Sequence, residues 1–474
     1  MAGSPSPAGE LAPAAEVRRR GRVEGGGASA AVTVACASRL SLHVAFDGPP
    51  PPDGARYAGL LLDLDGATAR LSACRFDAGR GPPGFHGRLV FLEDVYDCRA
   101  LVLEGTFTDL CAPFDNLPLV LSQREAVKPE FAAWVSALVY DLAVFRRFFD
   151  DQDRLLEPEP LRVAEAAREA LRRREGRRLV SFLVEKDREL VALVSGYTKE
   201  EHGRHGFYLR RMAWHHILAS EIHRRTNLKP RGYAGDAEMM RLIYEDGWEG
   251  GSLFGQILHK HAVEMPGAEA VRSRRVLVPR AIREAAARAA AGGEGRIRVL
   301  SLASGPAWEL QDLFLDAADC ARYEVTLLDQ DPQALEAARA AVARLEAGRG
   351  APIAARYFTD SVRTMLRDRH FAERLGAFHA VYSMGLFDYL TPPVARAVLA
   401  RAYELVRPGG TLLVGNYHVG HGSRTYMDYW LDWPLYYRTE ADFLALAEGL
   451  PAAAASIDFD DSGCQMFLRI EKTA

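Results

Sequence analysis

The spacing of apolar positions changes character along the chain, and each change predicts a different kind of element. From about residue 31 to 125 short segments alternate apolar and polar residues: AVTVAC, RLSLHVAF, YAGLLLDLD, TARLSACRF, GRLVFLEDV and ALVLEGTF. Breaks such as DGPPPPDG and GRGPPG separate them. A period of two between glycine- and proline-rich breaks predicts strands and turns, and so a small β-barrel or sandwich. From about 126 to 290 the spacing lengthens to three and four, as in FAAWVSALVYDLAVFRRFFD and FYLRRMAWHHILASEIHRRT, which predicts amphipathic helices. PLRVAEAAREALRRREGRRL between them is charged on most faces and is expected on the surface. From about 291 to 474 the apolar runs RIRVLSLAS, YEVTLLD, ARYFTD, FHAVYSM, GGTLLVGNYH and QMFLRIEK alternate with helical stretches. That alternation predicts a parallel sheet with crossover connections. LVRPGG ahead of TLLVGN reads as a helix closing on a left-handed glycine and feeding the fifth strand. Residues 1 to about 30 lack periodicity and are expected to form a disordered arm.

The predicted architecture is therefore multidomain: a disordered arm (1–30), a small N-terminal β-barrel (31–125), a central helical linker and cap (126–290), and a C-terminal α/β Rossmann-like domain (291–474). A chain of 474 residues is too long for one core, which agrees with this division. Charge adds little: 59 basic against 63 acidic residues leave a net charge of −4, which argues against nucleic acid or an anionic membrane as the main partner. Six cysteines without a C-x-x-C pair read as reduced thiols, with neither a metal site nor a disulfide framework. The first residues lack the apolar core of a secretory signal, and no apolar run approaches membrane-spanning length. A cytoplasmic location is the expectation.

Candidate chemistry concentrates in the last region. IRVLSLASG is an apolar run that breaks into a small-residue turn, and EVTLLD ends in Asp329 about twenty residues on. In an open parallel sheet such a turn lets a ligand approach the backbone, while an acid ending the second strand accepts hydrogen bonds from both ribose hydroxyls. The turn through Ser304, Gly305 and Pro306 keeps one glycine where a dinucleotide fold needs three. This favours a nucleoside without phosphates, such as S-adenosylmethionine.

The succession IRVLSLASG, EVTLLD, FTDS, AVYSMGLFDYL and LVRPGGTLLVGN resembles a class I S-adenosylmethionine-dependent methyltransferase over about 180 residues. The resemblance implies that Ser304 and Gly305 lie under the methionine moiety and that Asp329 binds the ribose, with Gln330 beside it. Asp360 and Ser361 would contact adenine, and Ser383 and Met384 would face the sulfonium. The acid that usually opens the turn is absent, so Glu309 or Asp236 would contact the cofactor's ammonium. Two further passages, LKPRGYAGDAEMMRLIYEDGWEGGSLFGQILHKH and GNYHVGHGSRTYMDYWLDWPLYYRTEADF, resemble a bacterial group that makes the methyl ester of 3-hydroxypalmitic acid. The implied reaction is O-methylation of a fatty-acid carboxylate.

Trp430, Trp433, Tyr436 and Tyr437 are candidate walls for such an acceptor, and Arg438 a candidate bidentate carboxylate ligand. His418, ending the fifth strand, and Tyr233, in a tight loop with Gly232 and Gly235, are the candidate catalytic groups; Asp236 would close the same loop over the cofactor. His421 is a weaker candidate than His418. His259 and His261 point apart on a helix, which argues against a metal, although His259 remains a candidate acceptor contact. A hydroxyl or amine acceptor would need one of these histidines as base, whereas a carboxylate would not.

VRRRGR, with Arg18 and Arg22 at R-x-x-x-R spacing, and LLLDLDGATARLSACRF give the N-terminal region a weak resemblance to the PilZ domain, which binds cyclic diguanylate. Asp63, Leu64, Asp65 and Gly66 depart from that family's strand motif by lacking its serine. A barrel that keeps the fold without the ligand would instead serve contacts between domains or between the protomers of a homodimer. A third reading is a nucleotide-responsive regulatory protein whose methyltransferase-like domain does not catalyse.

Overall fold

In the computed structural model Val32 and Val34 of the N-terminal region, and Leu60, Leu62 and Leu64, are buried at the period of two that the sequence shows. The structure describes residues 17–25, 28–64, 67–79, 82–105, 107, 109–111, 117–122, 124–293 and 295–473, divided into two compact units between Ala126 and Val127. In the first unit, β1 (Arg19–Gly25), β2 (Ala28–Ser38), β3 (Ser41–Phe46), β4 (Arg56–Tyr57), β5 (Gly59–Leu64), β6 (Ala67–Leu71), β7 (Cys74–Ala78) and β8 (Gly87–Phe91) form one antiparallel sheet. Its order is β4-β7-β8-β3-β2-β1-β5-β6. Val32, Val34, Leu42, Val44, Leu60, Leu62 and Phe76 fill its core.

Two expectations change here. The edge strands β4 and β6 do not pair with each other among the described residues, so the sheet is not a closed barrel. Arg19–Gly25, read as part of a disordered arm, is a strand paired with both β2 and β5. Its one apolar residue, Val23, is fully buried. The exposed arginines on the other face hide the alternation from a hydropathy reading. Arg22 is therefore strand rather than arm, and Arg18 lies over the ring of Phe85, 5.1 Å from its centroid. Asp63 and Leu64 close β5, whereas Asp65 and Gly66 fall outside the described residues.

The second unit opens with eight helices: α1 (Pro129–Leu156), α2 (Leu161–Arg174), α3 (Gly176–Val194), α4 (Lys199–Ile217), α5 (Glu221–Leu228), α6 (Ala237–Glu245), α7 (Leu253–Val263) and α8 (Pro266–Ala291). Phe131, Val135, Leu138, Leu142 and Phe149 form one buried stripe on α1. A reciprocal capping box between Thr198 and Glu201 starts α4. Only Ala164 of α2 is buried, so that helix lies on the surface.

The sheet that follows contains β9 (Ile297–Leu302), β10 (Tyr323–Asp329), β11 (Ala354–Thr359), β12 (Phe378–Ser383), β13 (Val406–Tyr417), β14 (Ala452–Phe459) and β15 (Gln465–Lys472). Their order is β11-β10-β9-β12-β13-β15-β14. The first five are parallel, and β15 runs antiparallel to both neighbours. Strand order reverses at β9, which opens a crevice at the carboxyl ends of β9, β10 and β12. Between the strands lie α9 (Leu310–Leu313), α10 (Ala317–Arg322), α11 (Pro332–Arg349), α12 (Val362–Arg367), α13 (Phe371–Leu375) and α14 (Pro392–Glu404). Two short helices follow β13, α15 (Arg424–Tyr429) and α16 (Glu440–Leu444).

The helical region and the sheet belong to one unit, because Tyr417 at the end of β13 and Tyr426 and Trp430 beyond it share a core with α1, α3, α4 and α7. One local expectation also changes: α14 ends on right-handed Leu405, and the left-handed glycine, Gly409 (φ 71°), lies further on, within β13. Among the described residues no helix is long and apolar enough to cross a membrane.

Candidate active site

The turn after β9 is held open by backbone conformation. Ala303 (φ 53°), Gly305 (φ 54°) and Ala307 (φ 51°) all adopt left-handed geometry, costly for the two alanines. Ser304 N donates to Leu328 O at 3.1 Å, tying the turn to β10. A Cβ added at Gly305 would meet nothing within 4 Å, so a side chain there would fill the crevice itself.

That crevice is a cavity of about 480 Å³, within the usual size of a cofactor pocket. Ser304, Gly305, Asp329, Gln330, Asp360, Ser361 and Met384 line it from the sheet side. Asp329 is nearly buried; its Oδ2 accepts from Gly305 N at 2.7 Å and its Oδ1 from Asp331 N at 2.9 Å. Burial raises its carboxyl above the usual range, while the backbone donors of Asp331 and Gly305 pull it back. Asp360 N donates to Asp329 O at 3.0 Å, and Ser361 caps α12. The acids and the turn are thereby fixed as one backbone-bonded assembly.

The helical region supplies the opposite wall. Arg231, Gly232, Tyr233 and Gly235 reach the cavity from the loop before α6. Arg231 forms an ion pair with Asp331 at 2.8 Å, which fastens this loop to the start of α11. Burial, then the charges of Asp329, Asp331 and Asp236, push the Tyr233 phenol up to about 12. A Cβ at Gly235 would lie 2.6 Å from Tyr389 Oη and 2.8 Å from the Trp433 ring, so only glycine permits this approach. Asp236 points away from the cavity. Fully buried, it caps α6 and takes Arg225 in a bidentate pair at 2.7 and 2.6 Å.

Among the lining residues that the sequence did not single out are Arg274, Tyr244, Trp308, Tyr382 and Tyr389. Tyr244 stacks on Trp308 with ring centroids 5.2 Å apart. Tyr382 donates to Glu309 Oε1 at 2.5 Å, and burial raises the Glu309 carboxyl. Tyr389 Oη accepts from Trp433 Nε1 at 2.8 Å. A signal for Arg274 existed: it interrupts the apolar stripe Ala270, Val271, Val278 and Ile282 of α8 at helical spacing.

Several predicted site residues lie elsewhere. Ser383 is buried, with its hydroxyl donated to Leu302 O at 2.8 Å rather than to the cavity. Arg438 is buried and donates to Phe387 O at 2.8 Å, Leu390 O at 2.6 Å and Asn416 Oδ1. Its fork is consumed by the protein's own acceptors, so it does not face an acceptor carboxylate. Trp430 is fully buried in the helical core, stacked on Tyr426 with centroids 5.8 Å apart. Tyr436 is exposed on the surface, and Tyr437 donates to Asp428 at 2.8 Å. His259 is fully buried, with Nδ1 accepting from Ile222 N at 3.3 Å and its pKa lowered to about 4, chiefly by burial. His418 lies off the cavity, 3.3 Å from Glu440 and edge-on to Phe459. His421 packs between Tyr417 and Tyr437. Ser383, Arg438 and Tyr437 spend their polar groups on the protein's own acceptors because their segments cross packed layers, where an unpartnered polar group is costly.

Residues 299–410 match the protein-family model for a methyltransferase domain, and they hold the sheet from β9 to the turn within β13. This stretch of the chain is a methyltransferase domain. No curated protein matches the chain. Among solved structures, a possible exported protein from Bordetella parapertussis is similar at 19% identity, over 63% of this chain and 97% of that one, with a TM-score of 0.43. An O-methyltransferase family protein from Burkholderia thailandensis is similar at 17% identity, over 60% and 76%, with a TM-score of 0.33. Magnesium protoporphyrin IX methyltransferase from Synechocystis, solved with S-adenosylmethionine, is similar at 13% identity, over 44% and 84%, with a TM-score of 0.30. At these scores the likenesses carry no argument about the methyl acceptor. The methyltransferase cavity itself is the source of one.

Proposed function

We propose that this methyltransferase O-methylates the carboxylate of a small organic acid, with fatty acids and their 3-hydroxy derivatives as the first class to test. The observation that carries this reading is the make-up of the cavity wall. Among the described residues no histidine lines it. Tyr233 is pushed up to about 12, and Tyr244, Tyr382 and Tyr389 are likewise raised by burial. Asp329 is engaged by two backbone N–H groups, and Glu309 by Tyr382. The wall thus offers neither an imidazole nor a readily ionised phenol to take a proton near neutrality. A carboxylate is already ionised there and needs no general base, whereas a hydroxyl acceptor does.

The residues present fit the methyl donor. Asp329 would hold the ribose hydroxyls, Asp360 and Ser361 the adenine edge, and Glu309, whose Oε2 is not taken by Tyr382, the ammonium group. Bound S-adenosylmethionine supplies a methyl group already activated by its sulfonium. The protein's share is to position the acceptor and exclude water, for which Tyr244, Trp308, Met240, Met384 and Leu386 provide a largely apolar wall.

The test is an acceptor screen with purified protein and S-adenosylmethionine, comparing carboxylic acids with alcohols and amines of the same chain. Methyl ester formed from the acids supports the proposal. Ether or N-methyl products, with the acids untouched, would overturn it.

A further inference from the structure

We infer that Arg274 is the anion anchor of the cavity and takes the carboxylate of a bound ligand. The side chain is 7% exposed, and what exposure it has faces the cavity. One edge of the guanidinium is fixed: Nε donates to Gln465 Oε1 at 2.8 Å. Gln465 is fixed in turn, since its Nε2 donates to Met384 O at 3.1 Å and its backbone N to Asp460 Oδ1 at 2.7 Å. Gly415 makes room for this arrangement, because a Cβ there would lie 2.9 Å from Gln465 Nε2 and 3.0 Å from Met384 O.

The other edge is unmatched. Among the described residues no acceptor takes a hydrogen bond from either terminal nitrogen, and no carboxylate forms an ion pair with the group. The acids whose titration it influences each spend one oxygen elsewhere and form no ion pair with it: Asp388 Oδ1 accepts from Tyr417 N at 2.7 Å, and Glu309 Oε1 from Tyr382. A buried guanidinium cannot shed its proton, so its desolvation cost persists until an anion arrives. Two parallel N–H donors on a fixed fork match the two oxygens of a carboxylate. The other arginine of the wall, Arg231, is already paired with Asp331, so a single cation is on offer, which suits a monoanion better than a phosphate.

Two ligands of the cavity could bring that carboxylate: the amino-acid end of the methyl donor or the acceptor acid. The second source rests on the carboxyl-methylation reading above, and the first does not. The full chain and its Arg274→Met and Arg274→Lys variants would be compared by thermal melting without ligand. Calorimetry would follow with S-adenosylhomocysteine, with 5′-methylthioadenosine, which lacks the amino-acid carboxylate, and with a short 3-hydroxy fatty acid added to the S-adenosylhomocysteine complex. The unliganded Arg274→Met protein should melt at or above the parent, because an unpaired buried cation has been removed. If the donor's carboxylate is the ligand, Arg274→Met weakens S-adenosylhomocysteine by about 30-fold and leaves 5′-methylthioadenosine unchanged. If the acceptor's is, S-adenosylhomocysteine is unchanged and the fatty acid loses its binding. In either case Arg274→Lys falls between parent and Met. The inference is overturned if every affinity stays within about twofold of the parent. It is equally overturned if Arg274→Met melts well below the parent while keeping its affinities, since Arg274 would then be a structural group. Failure of the carboxyl-methylation reading alone would leave the S-adenosylhomocysteine arm intact and readable.

Discussion

The cavity wall and the segment from His418 to Arg438 look alike in sequence, both mixing aromatic, acidic and basic residues, yet they use them in opposite ways. At the cavity the polar groups sit where parallel strands end and turn. Strand ends leave side chains and backbone donors with no next layer to pack against, so Asp329, Asp360 and Glu309 converge on open space, where Arg274 meets them from α8. The segment after β13 instead crosses a packed helical layer, where Arg438, Asn416, Tyr437 and Asp428 consume one another's hydrogen-bonding capacity. The lesson is that the position of a polar residue relative to a sheet's carboxyl edge says more about its role than its chemistry does.

The sharpest way to break this contrast is to exchange its expected symptoms. Asp329→Ala should lower affinity for S-adenosylhomocysteine by about 1,000-fold, roughly 4 kcal/mol, since two hydrogen bonds to a carboxylate are lost. Its unliganded stability should fall by about 1–3 kcal/mol as well, because Gly305 N and Asp331 N lose their acceptor; a fall in stability with affinity fully retained would place Asp329 in the structural class. Arg438→Ala should affect stability alone. Stranding the carbonyls of Phe387 and Leu390 and the amide of Asn416 should cost about 3 kcal/mol in denaturant melts, with ligand affinity unchanged in the folded protein.

A pH series sharpens the same comparison. The His421 ring has neither nitrogen hydrogen-bonded among the described residues, and burial lowers its pKa from 6.5 to about 4. Its neutral form is favoured in the folded state, so its contribution is full above pH 6.5 and is lost as pH falls toward 4. Replacing it with phenylalanine should therefore recover about 2 kcal/mol of the stability that the parent loses on going to about pH 5. A parent and variant with parallel pH profiles would show that the ring is not held neutral. The smallest effect is expected of His418→Ala, which should keep kcat within about twofold near neutral pH. A general base lost from the reaction would cost about 100-fold or more.

Much of the fold was legible because local periodicity reports which face of an element is buried. Most period-two segments became β2, β3, β5, β6, β7 and β8, whereas ALVLEGTF, also read as a strand, winds into a helical turn over Ala100–Glu104; the stripe in FAAWVSALVYDLAVFRRFFD became the buried face of α1. β1 was missed because a strand with one inward residue, Val23, and arginines outward has no hydropathy contrast over its length. In the site, Asp329, Asp360 and the turn at Gly305 could be found because sequence neighbours supply both strand and turn. Arg274 left a signal, a charge within an apolar stripe, but neither its destination nor that of Tyr244 could be read, because both reach the cavity from helices whose docking depends on the whole layer.

What the sequence determined by itself is therefore what short-range pattern encodes: the run of strands and helices, the acid after β10, and the glycine that leaves the turn clear. What the tertiary structure decided is which polar side chains remain unspent. Arg438 and Arg274 are both buried arginines. Only packing gives the first three acceptors on its terminal nitrogens and leaves those of the second facing a cavity. Hydrogen-bond satisfaction is a property of neighbours in space, and residues far apart in the chain supply those neighbours.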